Sequence, residues 1–424
     1  MKDYKKRFFT ALGLLAAVGV LAGCSAKAAG VDENMLGIPQ SDPERLTITV
    51  TCNSRLDHFA AAAEERFPEI RLVQDCYTGQ YRISEHIARI GHNDFGDIIM
   101  VKAGHIPKID MSGQLMDLST QQFPANFNAN VLQSDSDGHI TLIPGPLSFN
   151  CNIYNKTLFE KAGLDPEQGP ADWKELAEMS KKLETAGAAG YGFISDVWHY
   201  EALIRCNGGD TVNGDWTQAT FNSPQGVELA EYLKKGIGDS NFKYYSGAAT
   251  AAGDVLSTDV VNQKTAMWIA STAGLTNNMQ LASDNGYEIG TAFIPKNTQN
   301  KVPTGGCNLV MTSRLEGRER EAAAELIKFM TSKDSAVKNH IKTGYLPTRQ
   351  SISTDERLLA LYKETPQYQV ALDQLKYGSG RPMAQGYMES AKVYTEAMDK
   401  IMSSDADIQA VLDQAAEDCN VLLK

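Results

Sequence analysis

Two sets of residues in this 424-residue chain are of the kind that touch small molecules. One is aromatic: Trp198 with His199 beside it, Trp268, and Tyr345 in the turn Gly344-Tyr-Leu-Pro347. The other is short and polar or ionic: Asn53 and Arg55, Asp97, Ser271 and Thr272, and Arg381. Flat rings cover the C–H faces of a hydroxylated solute, and short polar groups meet its hydroxyls, because each hydroxyl buried without a partner costs about 1–3 kcal/mol. A guanidinium such as that of Arg55 or Arg381 grips vicinal hydroxyls or an acidic group. Reaction chemistry finds less support. The carboxylate pairs Glu64-Glu65, Asp135 with Asp137 and Asp405 with Asp407 fall in solvated faces or loops, with no opposed pair to be argued from their order. There is no Gly-x-Ser-x-Gly, and none of the seven histidines has His-x-x-x-His spacing. The chain reads as a binder that needs no metal and no cofactor.

The sulfur of Cys24 is a further reactive group. It ends a segment with Lys2, Lys5, Lys6 and Arg7 at the start and an apolar run from Phe8 to Leu21, too short for the roughly 20 residues of a spanning helix and so a secretory signal. Leu21-Ala22-Gly23-Cys24 resembles the bacterial lipobox, which implies cleavage after residue 23 and a lipid on Cys24. The mature chain then loses four cations and one anion, and its formal charge moves from -12 to -15. That charge disfavours nucleic acid and anionic lipid. The other six cysteines show no CxxC, which argues against zinc. Outside the cell they are open to disulfides, with Cys52 and Cys76 at the ends of neighbouring strands as the first pair to test, or to remaining as buried thiols.

Elements that must carry these groups follow from periodicity. Residues 24–45 lack pattern and read as a tether. Residues 46–51 alternate as a strand, 56–67 as a helix, 70–73 as a strand, 83–90 as a helix and 97–101 as a strand, which makes a doubly wound α/β unit. Ligands of such sheets lie beyond the strands' carboxyl ends, and this singles out Asn53 and Arg55. A second unit begins after residues 143–146. Asp172 caps a helix running to about residue 186, residues 191–194 form a strand, and Trp198 and His199 open the next helix. Residues 265–269 are a strand that ends at Ser271 and Thr272. Residues 306–312 run back between the units, 319–330 form an amphipathic helix, and the tail from 355 reads as three helices. Trp198 and Trp268 also suit core packing, Asn53 and Arg55 also suit a solvated loop, and Arg381 also suits a cap on the tail.

Several stretches in register resemble one family, the extracellular solute-binding proteins of carbohydrate-type ABC importers. They are Ile153-Tyr-Asn-Lys-Thr-Leu-Phe-Glu-Lys-Ala-Gly-Leu164, Ala171-Asp-Trp-Lys-Glu-Leu176, Lys264-Thr-Ala-Met267, Ile294-Pro-Lys296, Thr343-Gly-Tyr-Leu-Pro-Thr-Arg349, Gly96-Asp-Ile-Ile99 and Arg381-Pro382. The resemblance implies two α/β lobes joined by a hinge, of the type II periplasmic-binding-protein kind, with residues 46–147 and 295–344 in one lobe and 148–294 and 345–424 in the other. It also implies a monomer that is lipid-anchored at the outer face of the cytoplasmic membrane, takes a sugar or oligosaccharide between its lobes and hands it to a permease. Phe149 and Gly306 join the site candidates on this footing, and Asp97 orients backbone amides. The chain departs from the family where Ala270-Ser271-Thr272 replaces the usual stacking tryptophan, and where Asn152 replaces an apolar residue. Rival solutes are a glycerophosphodiester, a polyamine, or ferric iron held by Tyr244 and Tyr245; a secreted glycoside hydrolase is the rival of another class.

Overall fold

The computed structural model describes residues 45–52, 57–76, 96–101, 143–348, 352, 354–384 and 386–423. Cys24, Asn53 and Arg55 lie outside the described residues. The class is α/β, as expected. Its strands are β1 (Leu46–Cys52), β2 (Ile70–Cys76), β3 (Ile98–Val101), β4 (Ile143–Asn155), β5 (Ala189–Ile194), β6 (Phe242–Tyr245), β7 (Thr265–Ser271), β8 (Ile289–Ala292), β9 (Val302–Met311) and β10 (Gly378–Ser379). Along the sheet they run β2-β1-β3-β9-β4-β7-β5-β6, with β10 added to β9 and β8 to β4.

Two strands expected to be short or absent turn out to be central. β4 is 13 residues long, although Pro144, Gly145 and Pro146 suggested a boundary. These residues sit where its ladder with β9 skips from Pro144 to Leu147, an irregularity that absorbs prolines a regular ladder would reject. Ile143 packs in one hydrophobic core with β1, β3 and the helix Gly317–Met330. Leu147, Phe149, Cys151 and Ile153 pack in a second core with β5, β7 and the helices of the tail. β9 divides in the same way, with Cys307, Leu309 and Met311 in the first core and Val302 in the second. The two cores thus share two antiparallel strands.

Local signals set the helices. Asp172 caps Trp173–Thr185 by accepting from the Glu175 amide at 2.8 Å, as expected, and Asp196 caps Val197–Cys206 by accepting from the amides of Trp198 and His199. Among its described residues the tail holds four α-helices, not three: Glu356–Glu364, Pro366–Asp373, Tyr387–Ser403 and Ile408–Leu422. Pro366 opens the second of these at its first position, where a missing N–H costs nothing. Among the described residues no helix is long and apolar enough to cross a membrane. Cys52 and Cys76 are register partners across β1 and β2. Burial pushes the thiol of Cys151 up to about 12 and those of Cys206 and Cys419 up to about 11, so these three remain unreactive thiols.

Two positions make this scaffold testable. Gly306 on β9 has φ +91°, and a Cβ there would lie 2.1 Å from the Pro146 carbonyl oxygen of β4. Gly306→Ala should therefore cost about 1–2 kcal/mol in backbone conformation alone. The clash adds to this, and the loss should read as a lower urea midpoint at unchanged slope. His340, in Lys333–Thr343, is fully buried; its Nδ1 lies 2.9 Å from the Tyr345 carbonyl oxygen and its Nε2 3.2 Å from the Tyr362 hydroxyl. Desolvation lowers its pKa, and the bond to Tyr345 only partly opposes this. In the unfolded chain the ring gains a proton near pH 6.5, in the fold only below that, so unfolding takes up a proton in between. Stability is then full above pH 6.5 and is lost as pH falls towards the depressed value, by about 1.4 kcal/mol per unit of pKa difference. Thermal melts from pH 7.5 to 5 should show this decline, and His340→Gln should flatten it.

Candidate functional site

Strand alternation sorts the polar candidates from the core. In β4, Phe149, Cys151 and Ile153 face the second core, so Ser148, Asn150 and Asn152 face the other way. Partners across an antiparallel ladder share a face: Ser148 is opposite Gly305 and Asn150 opposite Ser271. One polar face therefore carries Ser148, Asn150, Ser271 and the bare backbone of Gly305. Trp198 lies over that bare spot. A Cβ on Gly305 would sit 2.3 Å from the indole Cζ2 and 2.8 Å from the Ser148 hydroxyl oxygen, so the glycine is what lets the ring approach. The ring is also fixed at its edges. The indole N–H donates to the Pro303 carbonyl at 3.4 Å, and the Trp198 carbonyl accepts from the Asn150 side-chain amide at 2.9 Å.

Tyr345 stands on the other flank. Leu346 and Leu147 exchange backbone hydrogen bonds, which brings the turn onto β4, and Gly344, at φ +86°, passes so close to the Thr272 carbonyl that a Cβ would lie 2.7 Å from it. The Tyr345 ring is half-buried, and burial together with nearby Cys307 pushes its hydroxyl up to about 12. Cys307 lies two residues along β9 from Gly305, about 7 Å away, on the same face. Thr272 is fully buried, and its hydroxyl accepts from the Phe149 amide at 3.1 Å. The Ser271 hydroxyl caps the turn Thr272–Gly274 by accepting from Ala273. His199 adjoins Trp198; its Nδ1 is occluded without a partner among the described residues, and burial lowers its pKa, which keeps the ring neutral at pH 7.

Arg381 reaches the same helix by another route. Its Nε lies 2.8 Å from Glu201, one turn along Val197–Cys206 from Trp198. The structure thus sets Trp198, Ser271, Thr272, Gly306 and the turn of Tyr345 on or against β4 and β9, with His199 next to Trp198 and Arg381 joined to the same helix through Glu201. Three candidates lie elsewhere. Phe149 is fully buried in the second core, against Gly378. Trp268, 5 % exposed, alternates with Ser271 and packs into that same core with Ile153 opposite it. Asp97 stands at the amino end of β3, away from the carboxyl end where such sheets hold ligand. There it accepts from the Thr49 amide at 2.8 Å and pairs with Arg314, so it does orient a backbone amide.

Ser148, Asn150 and Glu201 were not singled out in the sequence. The polar alternation at positions 148, 150 and 152 was the available signal for the first two. Asn150 Oδ1 and both side-chain polar atoms of Asn152 are buried without partners among the described residues, a buried polarity that a purely structural strand has no use for. The ferric-iron alternative fails on geometry. Tyr244 and Tyr245 lie in β6, not in a loop, and adjacent strand residues face opposite ways. Tyr244 is bound to Asp399 and Tyr245 to Asp259 at 2.8 Å, and both phenols are pushed upward by burial, so each keeps its proton. Among the described residues no group of three or more His, Cys, Asp or Glu side chains could hold a metal ion.

Comparison with known proteins identifies the family. The chain is 27% identical over 307 residues to the sn-glycerol-3-phosphate-binding periplasmic protein of Pectobacterium atrosepticum, covering 68% of this chain and 67% of that one. It is 29% identical over 313 residues to the protein of the same name from Shigella flexneri, covering 69% of each. Among solved structures, the cyclic alpha-maltosyl-1,6-maltose binding protein of Arthrobacter globiformis superposes with a TM-score of 0.77 at 22% identity, over 90% of this chain and 99% of that one. The glycerophosphocholine complex of a Mycobacterium tuberculosis relative gives 0.74 at 20% identity, over 86% and 94%. The sequence pattern of one family spans residues 87–370. This chain belongs to that family, the bacterial extracellular solute-binding proteins.

Proposed function

We propose that the chain is the receptor of an ABC importer, and that its two cores are lobes that close on an uncharged saccharide at the crossing of β4 and β9. The observation that carries this reading is the Trp198 ring laid on Gly305 within a face of Ser148, Asn150 and Ser271. An indole covers the C–H face of a pyranose, and neutral hydroxyls and amides match its hydroxyl groups. The shared strands provide the hinge, since a closure that keeps both cores intact must bend where few side chains pack. The protein performs no chemistry on its solute and works as a monomer. A lipid on Cys24 holds it at the outer face of the cytoplasmic membrane, beside its permease. One observation favours a second reading, a glycerophosphodiester: the chain is related to glycerol-3-phosphate-binding proteins over 307 residues.

Melting the protein with mono-, di- and oligosaccharides at millimolar concentration tests the first reading. A true solute at a hundredfold excess over its Kd adds about 2.7 kcal/mol and raises the Tm, while a panel with no shift rules the saccharide out. Trp198→Ala should raise the Kd at least about tenfold, as loss of an aromatic anchor does, with the unliganded melting temperature little changed. A Tm rise with glycerophosphocholine alone would select the second reading. The anchor has its own test: Cys24→Ala should release the protein from membranes into the soluble fraction, and mass spectrometry of the wild type should find the diacylglyceryl mass on the peptide that begins at Cys24.

A further inference from the structure

The helix that presents Trp198 also carries Glu201, three residues on and so on the same face. Glu201 is fully buried, 0 % exposed. Burial raises its pKa, and Arg381 and then Arg205 offset that rise only in part. Among the described residues the other charged or titratable groups that face it are Asp210, from the loop after its own helix, and Tyr394, from Tyr387–Ser403. Arg205 is engaged elsewhere: its Nε donates to Asp210 at 3.0 Å, and its Nη1 donates to the Ser379 hydroxyl and the Gly380 carbonyl. Arg381 is therefore the direct counter-ion, 2.8 Å away, with its guanidinium 5.9 Å over the Tyr387 ring. The backbone pins Arg381 to the site. Two residues earlier Ser379 pairs with Pro303 of β9, and the Pro303 carbonyl is the acceptor that holds the Trp198 indole.

We propose that Glu201 is a specificity-determining residue that sets the charge class of the solute. By neutralising Arg381 one helical turn along from Trp198, it fits the site to uncharged polyhydroxylated molecules and turns away phosphate esters. A phosphate that leaves water must find uncompensated positive charge, and a guanidinium already paired with a buried carboxylate does not offer it. Removing Glu201 takes one buried negative charge away from that guanidinium and so shifts the balance there towards an anion. This inference rests on the receptor reading above and names the solute class of that same site.

The test is isothermal titration of the wild type and Glu201→Gln with three probes: the saccharide that gave the largest thermal shift, sn-glycerol 3-phosphate and putrescine. The wild type should bind the saccharide and give no heat with glycerol 3-phosphate at millimolar concentration. Glu201→Gln should gain glycerol 3-phosphate affinity by at least tenfold relative to saccharide, and the gain should shrink as salt rises. Arg381→Gln leaves the carboxylate without its direct partner and should move the preference the other way, towards putrescine; it serves as the test on its own where Glu201→Gln does not fold. Folded variants whose affinity ratios match the wild type overturn the proposal while the receptor reading stands. A wild type that binds glycerol 3-phosphate more tightly than any saccharide overturns it as well. A wild type that binds none of the saccharides or phosphate esters ends the receptor reading and the proposal together.

Discussion

The constraint on which the rest depends is the antiparallel ladder between β4 and β9, two strands that each serve both hydrophobic cores. Loops would leave the two cores free to drift. A ladder fixes them residue by residue, because slipping a strand by one position would send every core side chain to the wrong face. The match of Leu147 with Gly306 therefore settles two things at once. It commits Leu147 and Phe149 to the second core, and it leaves Ser148, Asn150 and Gly305 on the opposite face. Gly306 is needed because the Pro146 carbonyl occupies the space of a side chain, and Gly305 because the Trp198 ring does. Two adjacent glycines thus solve two different steric problems, one within the scaffold and one at the site.

What could be read from the sequence was what local physics encodes. The alternation of β1, the Asp172 cap, the strand ending at Ser271 and the helix opening at Trp198 all rest on neighbours within a few residues, and all hold. β4 was lost because Pro144 and Pro146 normally break a strand; only pairing with the distant β9 shows that the irregular ladder absorbs them. β6 was lost because four residues, one of them a lysine, carry too little pattern to separate a strand from a loop. The tail was miscounted because Pro366 was not read as the start of a helix.

At the site, residue types were legible and faces were not. Trp198, Tyr345 and Arg381 were singled out for chemistry that needs rings and guanidinium, and tertiary contacts set Trp198 on Gly305, the turn of Tyr345 on Leu147 and Arg381 on Glu201. Trp268 and Phe149 are equally good ring candidates by type, but each sits one position out of phase with a polar neighbour, and period two sends them inward. That distinction was available from Ser148, Asn150 and Asn152 once the segment was known to be a strand. Glu201 left a fainter trace, a lone carboxylate between Tyr200 and the apolar Ala202, Leu203 and Ile204, all of them buried. An ionised group in that setting needs a counter-ion, and the sequence could not say that it comes from a residue 180 positions away.

The charge balance of the molecule follows from the same logic of pairing. The chain is strongly acidic, at -12, yet several of its cations are spent on structure: Arg205 on Asp210, Arg314 on Asp97, Arg357 on Asp334 and Asp355, and Arg381 on Glu201. A receptor for anions would have to hold such cations apart from carboxylates at the site, against the repulsion of the remaining acidic surface. A receptor for neutral solutes meets no such conflict, because a hydroxylated ring is recognised by shape, stacking and hydrogen bonds, and an acidic exterior leaves those interactions untouched. The buried Glu201 carboxylate is the local form of that pairing, met 2.8 Å away by the Arg381 guanidinium, one helical turn along from Trp198.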